Sequence, residues 1–222
     1  MTLSRAGTAL LFLFAIGSAG CASTAPATSY DGLERIRTRS LDQAWVRPGF
    51  EPAFYERIMF RGGGVRYLDV PEGRAARVSS QTRFPLSAED QARFEATMAE
   101  AFRAELADLD SYEIVTEPTP GTLRLDIALI DVASHVPPDR LGRVEVFIAD
   151  VASATLVLEF SDAMTGAVLF RGTDARVASR QGSEFTRSAS TTDWRVIERL
   201  ARRWASGLRD GIDEMHTSGD GR

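Results

Sequence analysis

The single cysteine of this 222-residue chain is the residue best placed to do chemistry. Cys21 follows a short apolar run, residues 9–16, and stands within the small-residue sequence SAGCAS. A bilayer-spanning helix needs about 20 apolar residues, so this run is too short to cross a membrane. A basic residue (Arg5), a short apolar stretch and small residues in that order are typical of a secretory signal. The sequence therefore predicts an exported chain with one thiol at the end of its signal.

The order Ser18-Ala19-Gly20-Cys21 resembles the lipobox of bacterial lipoproteins. The resemblance implies that the Cys21 thiol receives a diacylglycerol, that a signal peptide of residues 1–20 is removed, and that the new amine is acylated. Ser18 departs from the leucine that usually stands three places before the cysteine. The alternative is an ordinary signal with an incidental cysteine. An unpaired cysteine in an exported protein argues against that alternative.

Residues 21–29 read as a flexible tether, because those after Cys21 carry no charge and no hydrophobic periodicity. We expect the folded domain to lie close to a membrane, since about ten extended residues span at most ~35 Å. In the lipoprotein sorting rule, an aspartate after the modified cysteine favours the inner membrane. Ala22 stands there instead, so the resemblance implies the periplasmic side of the outer membrane.

Composition argues against nucleic acid as a partner. The formal net charge is −5, whereas nucleic-acid binding calls for a basic surface. All 26 basic residues are arginine, which is explained either by carboxylate and phosphate recognition or by a GC-rich genome. We favour the second explanation, because the chain is also rich in alanine.

Other candidate chemistry is sparse. His135 is the base that a Ser-His-Asp hydrolase would need, but no Gly-x-Ser-x-Gly motif accompanies it, and we expect an exposed imidazole at a strand end. The glycines at 62–64 precede strand-like residues rather than a helix, which favours a β-bulge over a phosphate-binding loop. The one cysteine and the two histidines are not spaced like the ligands of a zinc site. We expect no metal, no cofactor and no enzymatic activity.

A stripe of arginines on the last predicted helix is the second candidate site. Its members are Arg195, Arg199, Arg202 and Arg203. The stripe predicts either docking to anionic headgroups or to an acidic partner, or a solvated helix face. The solvated face is the simpler interpretation.

Two further features leave alternatives open. Glu105 falls on the apolar face of its predicted helix, where a carboxylate is either a tuned acid or the partner of an arginine such as Arg124. We expect pairing. Trp45, Pro48 and Phe50 belong to an N-terminal arm that either packs on the open face of the sheet or lines a ligand groove.

The elements that position these residues follow from hydrophobic periodicity. We predict helices over 88–109, capped by Ser87, and from Asp193 to Met215. The predicted strands lie near 57–60 resuming at 65–70, and at 112–115, 123–129, 154–160 and 168–177. The order β-α-β-β-β-β-α predicts an α+β two-layer sandwich, with a mostly antiparallel sheet and two amphipathic helices on one face. We expect one domain over 30–215 and a disordered tail over 216–222.

Several segments together resemble a known family. They are YDGL at 30–33, WVRPG at 45–49, Tyr55, YEIV at 112–115, GTLRL at 121–125 and DAMTG at 162–166. Their order is similar to that of the Gram-negative lipoprotein family catalogued as domain of unknown function thirty-three thirteen. The resemblance implies a lipid-anchored envelope protein and supplies no activity. We therefore expect a non-enzymatic domain that binds a protein partner in the envelope, with a ligand carrier or sensor as the alternative.

Overall fold

The computed structural model describes residues 28–70, 82–136, 150–180 and 193–219. Cys21, the predicted signal and almost all of the predicted tether lie outside the described residues. So do most of the loops expected between 137 and 143 and between 179 and 192.

The described residues form a seven-stranded sheet and two long helices, which confirms the α+β class and the mostly antiparallel sheet. The elements are β1 (Glu34–Ile36), β2 (Gln43–Val46), a 3-10 turn (Pro52–Phe54), β3 (Arg57–Tyr67), α1 (Ala88–Ala107), β4 (Glu113–Ile114), β5 (Thr122–Ser134), β6 (Asp150–Asp162), β7 (Val168–Ser179) and α2 (Trp194–Gly219). Across the sheet the order is β1-β2-β7-β6-β5-β3-β4.

Strand direction follows from the connections. Strands β5, β6 and β7 pair antiparallel, and a tight turn at Asp162–Gly166 joins the last two. Strand β3 instead pairs parallel with β4 and β5, because α1 carries the chain back across the sheet before either strand begins. The glycines at 62–64 form the predicted bulge inside one continuous β3, where the register with β5 shifts.

The N-terminal arm differs from the prediction. Residues 34–36 and 43–46 do not lie as a cover over the open face, because they form β1 and β2 and extend the sheet beside β7. Phe50 packs against the core on the helix side. On the open face, Arg171 of β7 pairs with Asp31 at 2.9 Å and with Glu159 at 2.9 Å.

The core lies between the sheet and the helices. Alternate residues of β5 and β6, including Leu125 and Leu158, point to the helix side and are buried. Helix α1 contributes a buried stripe at four-residue spacing, Phe94, Met98, Phe102 and Leu106. Ser87 caps the helix, as predicted, by accepting from the Asp90 amide at 3.1 Å. Burying apolar side chains of this size stabilises a fold by about 1.5–3 kcal/mol each.

The C-terminal end corrects a second expectation. Residues 216–219 are not a disordered tail, because α2 continues to Gly219. The His216 ring packs edge-on against Tyr112 with the ring centroids 4.8 Å apart. This contact gives the last helical turn an apolar partner that the sequence pattern did not reveal.

Candidate binding site

A cavity of about 860 Å³ lies between the N-terminal arm, the sheet and α2, and we call it the arm cavity. Its apolar floor comes from β6 and β7 and includes Leu156, Leu158, Phe160 and Phe170. Residues 36–41 and Phe50 line the arm side, and α2 lines the other. This volume falls within the range of about 300–1,000 Å³ that is typical of small-molecule sites.

Two glycines of α2 keep this space open. Gly207 and Gly211 are four residues apart, so they lie on one face of the helix, and both line the cavity. A Cβ atom added at either position would meet nothing within 4 Å. A glycine inside a helix is less favourable than alanine by about 1 kcal/mol. Beside its buried apolar stripe, which includes Trp204, Leu208 and Ile212, α2 therefore carries no side chain at these two positions.

One end of the arm cavity is basic. Arg37, Arg39, Arg176 and Arg203 line it there. Asp174 places two of them, because it accepts hydrogen bonds from Arg176 and from Trp204, the neighbour of Arg203, at 2.8 Å each. Asp42 accepts from the Ala175 amide at 2.8 Å, which holds the loop that carries Arg37 and Arg39 beside the same part of β7. Arg203 and the two arm arginines are exposed and form no ion pair within the described part of the chain.

The acidic residues of the cavity lie farther along α2. Asp210 and Glu214 are about 10 and 16 Å beyond Arg203 along the helix axis. Asp210 pairs with Arg209 at 3.1 Å, whereas Glu214 is exposed. The cavity is thus basic at one end, apolar along its floor and weakly acidic at the other end.

Asp174 is the one charged residue of the cavity that is almost completely buried, with 2% of its surface exposed. Its Oδ2 accepts the indole N–H of Trp204 and the Nε–H of Arg176. Its Oδ1 is buried with no hydrogen-bond partner among the described residues. This carboxylate joins β7 to α2 and fixes the distance between them at the basic end.

A second concave surface lies between α1 and β3, and we call it the edge groove. Its volume is about 680 Å³, and its lining is mostly apolar, with Met98, Phe102 and Leu106 from α1 facing Phe60 and Val65 from β3. The exposed Ile114 of β4 closes one side. Beyond Ile58, β3 has no strand on its outer side within the described residues.

The structure places the predicted arginine stripe on the exposed side of α2, where all four members are accessible. Only Arg203 among them also lines the arm cavity. Glu105 is paired as expected, but its partner is Arg209 at 2.7 Å rather than Arg124, which instead binds Asp126 at 2.9 Å. The Glu105 pair joins α1 to α2.

His135 is buried rather than exposed, with 6% of its surface accessible. Neither ring nitrogen has a hydrogen-bond partner among the described residues. Its backbone N–H donates to the Val151 carbonyl at 2.9 Å, which holds it in the sheet. In the described ranges, no three His, Cys, Asp or Glu side chains come together as a metal site.

The turn between β6 and β7 explains one segment of the family resemblance structurally. Asp162 accepts hydrogen bonds from the Thr165 amide at 2.7 Å and from the Tyr55 hydroxyl at 3.2 Å. Burial raises the pKa of Asp162, but the bonds from Thr165, Tyr55 and Met164 outweigh it, so the pKa lies below its ordinary value. Burial and the nearby Asp162 raise the pKa of Tyr55 to about 12. This pair stabilises the turn and requires no ligand.

The family model for "Protein of unknown function (DUF3313)" matches residues 23–208. The chain belongs to this family, and the predicted resemblance is confirmed. No curated protein was found to be similar to the chain. None of the helices in the described residues has the length and apolar character needed to cross a membrane.

Three solved structures show weak likeness. A PelC dodecamer from Paraburkholderia phytofirmans is 12% identical, with a TM-score of 0.33 over 75% of this chain and 96% of that one. The hypothetical protein CT253 from Chlamydia trachomatis is 13% identical, with a TM-score of 0.36 over 71% and 99%. A "putative lipoprotein" from Caulobacter crescentus is 15% identical, with a TM-score of 0.35 over 77% and 93%. These scores are too low to support an argument about function.

Proposed function

We propose that this protein is a lipid-anchored envelope protein held on the periplasmic side of the outer membrane through acylated Cys21. The sequence at 18–21 and the family membership support the anchor. The described domain begins at Thr28, so the chain back to Cys21 spans at most about 25 Å. That reach keeps the β1 edge of the sheet near the lipid surface.

The folded domain acts by binding a protein partner rather than by catalysis. The observation that carries this proposal is the edge groove, which combines apolar side chains of α1 with the outer edge of β3. Unpaired strand edges present backbone donors and acceptors to other chains, and apolar grooves receive their side chains. The groove thus offers both backbone pairing and apolar burial to a protein segment.

The anchor is tested with Cys21→Ser in the native cell. We expect the parent protein to fractionate with outer membranes and to weigh more than its amino acids predict after signal removal. The variant should appear as a soluble periplasmic form or as an uncleaved precursor. A variant that fractionates and matures like the parent would contradict lipidation.

The partner is tested by photo-crosslinking in intact cells. A crosslinking amino acid at Ala99, which lines the edge groove, should capture one discrete protein that mass spectrometry identifies. Ala96 is the matched control, because it is exposed on the same helix but does not line the groove. Equal crosslinking from both positions would show that the groove is not the docking surface.

A second function is favoured by the arm cavity. A ligand carrier or sensor needs an apolar cavity of several hundred Å³ near the membrane, and the cavity under the arm has this size. The two functions are separable by mutation, because the arm cavity and the edge groove share no lining residue.

A further inference from the structure

We infer that the arm cavity binds an anionic amphiphile, with its acyl chain on the apolar floor and its carboxylate or phosphate group at the basic end. The inference rests on the second function proposed above and names the class of ligand for that cavity. It is carried by the unequal distribution of charge along the cavity.

The apolar floor of the arm cavity indicates that the ligand has a hydrocarbon chain. Leu156, Leu158 and Phe160 of β6, with Phe170 of β7, form one continuous hydrocarbon surface. Opposite them, Gly207 and Gly211 present no side chain. A slender flexible chain fits the open space at Gly207 and Gly211, between the apolar floor and the neighbouring α2 side chains such as Leu208 and Met215. Each methylene group that the cavity buries adds to the affinity.

The basic end of the arm cavity indicates that the headgroup of the ligand is anionic. Arg37, Arg39 and Arg203 are exposed there and lack ion-pair partners within the described part of the chain. A guanidinium group binds carboxylate and phosphate oxygens through two parallel hydrogen bonds. A cationic headgroup would be repelled at this end, and the buried Asp174 does not attract one because Arg176 already binds it.

The orientation of the ligand follows from the other end. Asp210 and Glu214 make that end unfavourable for an anion, so the headgroup lies near Arg203 and the chain runs toward Phe50 and Met215. Arg203 is also the point where the cavity meets the exposed arginine stripe. We therefore assign Arg203 as the residue that links the stripe to the ligand.

The test uses isothermal titration of the full chain carrying Cys21→Ser, with three charged probes below their micelle concentrations and one neutral probe below its solubility limit. Dodecanoate and dodecyl phosphate carry an anionic group, dodecanol is neutral and dodecylammonium is cationic. We expect both anionic probes to bind about tenfold more tightly than dodecanol, because a hydrogen bond to a charged group contributes about 1.5 kcal/mol or more. The relative affinity of the two anionic probes identifies the preferred headgroup.

Two pairs of variants locate the ligand. Arg203→Gln should weaken dodecanoate about tenfold and leave dodecanol unchanged, whereas Arg202→Gln, on the same helix but outside the cavity, should change neither. Gly207→Leu should abolish binding of both probes by filling the space, whereas Ser206→Leu should not. If Gly207→Leu does not fold, Gly211→Leu replaces it, because it faces the same open space.

The outcomes separate the two proposals. If dodecanol or dodecylammonium binds as tightly as dodecanoate, or if Arg203→Gln has no effect, the inference about the headgroup is wrong while the cavity remains a ligand site. If Gly207→Leu and Gly211→Leu both fold and leave dodecanoate binding unchanged, the ligand does not occupy the cavity. In that case the carrier function and the inference fail together.

Discussion

The arm cavity and the edge groove are both concave and apolar, but they are built differently. The edge groove is lined by regular elements, α1 and β3, whose apolar side chains face one another across an open slot. The arm cavity depends on short β-strands, two helical glycines and a buried carboxylate. A buried polar contact between Asp174 and Trp204 joins the sheet to α2 at the arm cavity. The groove is lined mostly by apolar side chains, and its main polar contacts are exposed or part-buried bonds from the Tyr67 hydroxyl of β3 to Gln91 and Glu95 of α1. The two surfaces should therefore respond to different mutations.

The largest effect is expected at the edge groove. Phe102→Ala removes a ring that is 7% exposed and anchors α1 in the core. We expect the free energy of unfolding to fall by about 3 kcal/mol, near the low end for such a truncation because the ring borders an open groove. Urea denaturation measures this loss. Binding of dodecanoate under native conditions should not change, and a parallel loss of that affinity would show that the two surfaces are coupled.

Asp174→Ala should lower the free energy of unfolding less than Phe102→Ala does. It should alter the arm cavity more. The change leaves the buried Trp204 N–H without its acceptor, and an unsatisfied buried donor costs about 2 kcal/mol. Trp204 fluorescence should also change, because the ring is no longer held against β7. Arg203→Gln is the control that keeps the Trp204 bond. Unchanged stability and fluorescence would mean that this bond does not fix the cavity.

The ion pair between Glu105 of α1 and Arg209 of α2 should contribute less to stability than the two features above. Glu105→Gln removes the charge that pairs with Arg209 and joins α1 to α2. Both side chains are partly exposed, so we expect a small decrease in melting temperature. The difference between parent and variant should vanish at about 1 M salt, where the Debye length is about 3 Å. A difference that persists at high salt would point to packing rather than charge.

The smallest effect is expected in acid. Because the pKa of Asp162 is lowered in the folded protein, its ionised form contributes stability above the unfolded value of 3.8. That contribution is lost as the pH falls below 3.8 through the folded pKa. Asp162→Asn should therefore flatten this part of the curve of unfolding free energy against pH. If the unfolding free energy of the variant falls below pH 3.8 as steeply as that of the parent, other carboxylates cause the loss of stability in acid.

The sequence predicted the elements that have strong periodicity. Helix α1 lies where its stripe at four-residue spacing indicated, and β5 to β7 lie where alternation indicated. Strands β1 and β2 were missed because three and four residues are too few to show a period. The parallel pairing of β3 depends on the path of α1 over the sheet, which no local pattern encodes.

The candidate sites were less predictable. An apolar stripe identifies the face of α2 that is buried but not how far that face stands from the sheet. The four-residue spacing of Gly207 and Gly211 beside the stripe was the available signal for the arm cavity, and this spacing opens a cavity only because the arm lies opposite. The partner of Glu105 could not be chosen from sequence, because both Arg124 and Arg209 were chemically suitable.

The ion pair between Asp31 and Arg171 has a mechanical consequence. Under the anchoring proposed at Cys21, a pulling force reaches the described residues first at Thr28, three residues before Asp31. The pair fastens that point to β7, so a pull toward the bilayer is borne by the sheet before it reaches the loop at 36–41. Weakening this pair would therefore let a pull at Thr28 act more directly on the loop at 36–41, which lines the arm cavity.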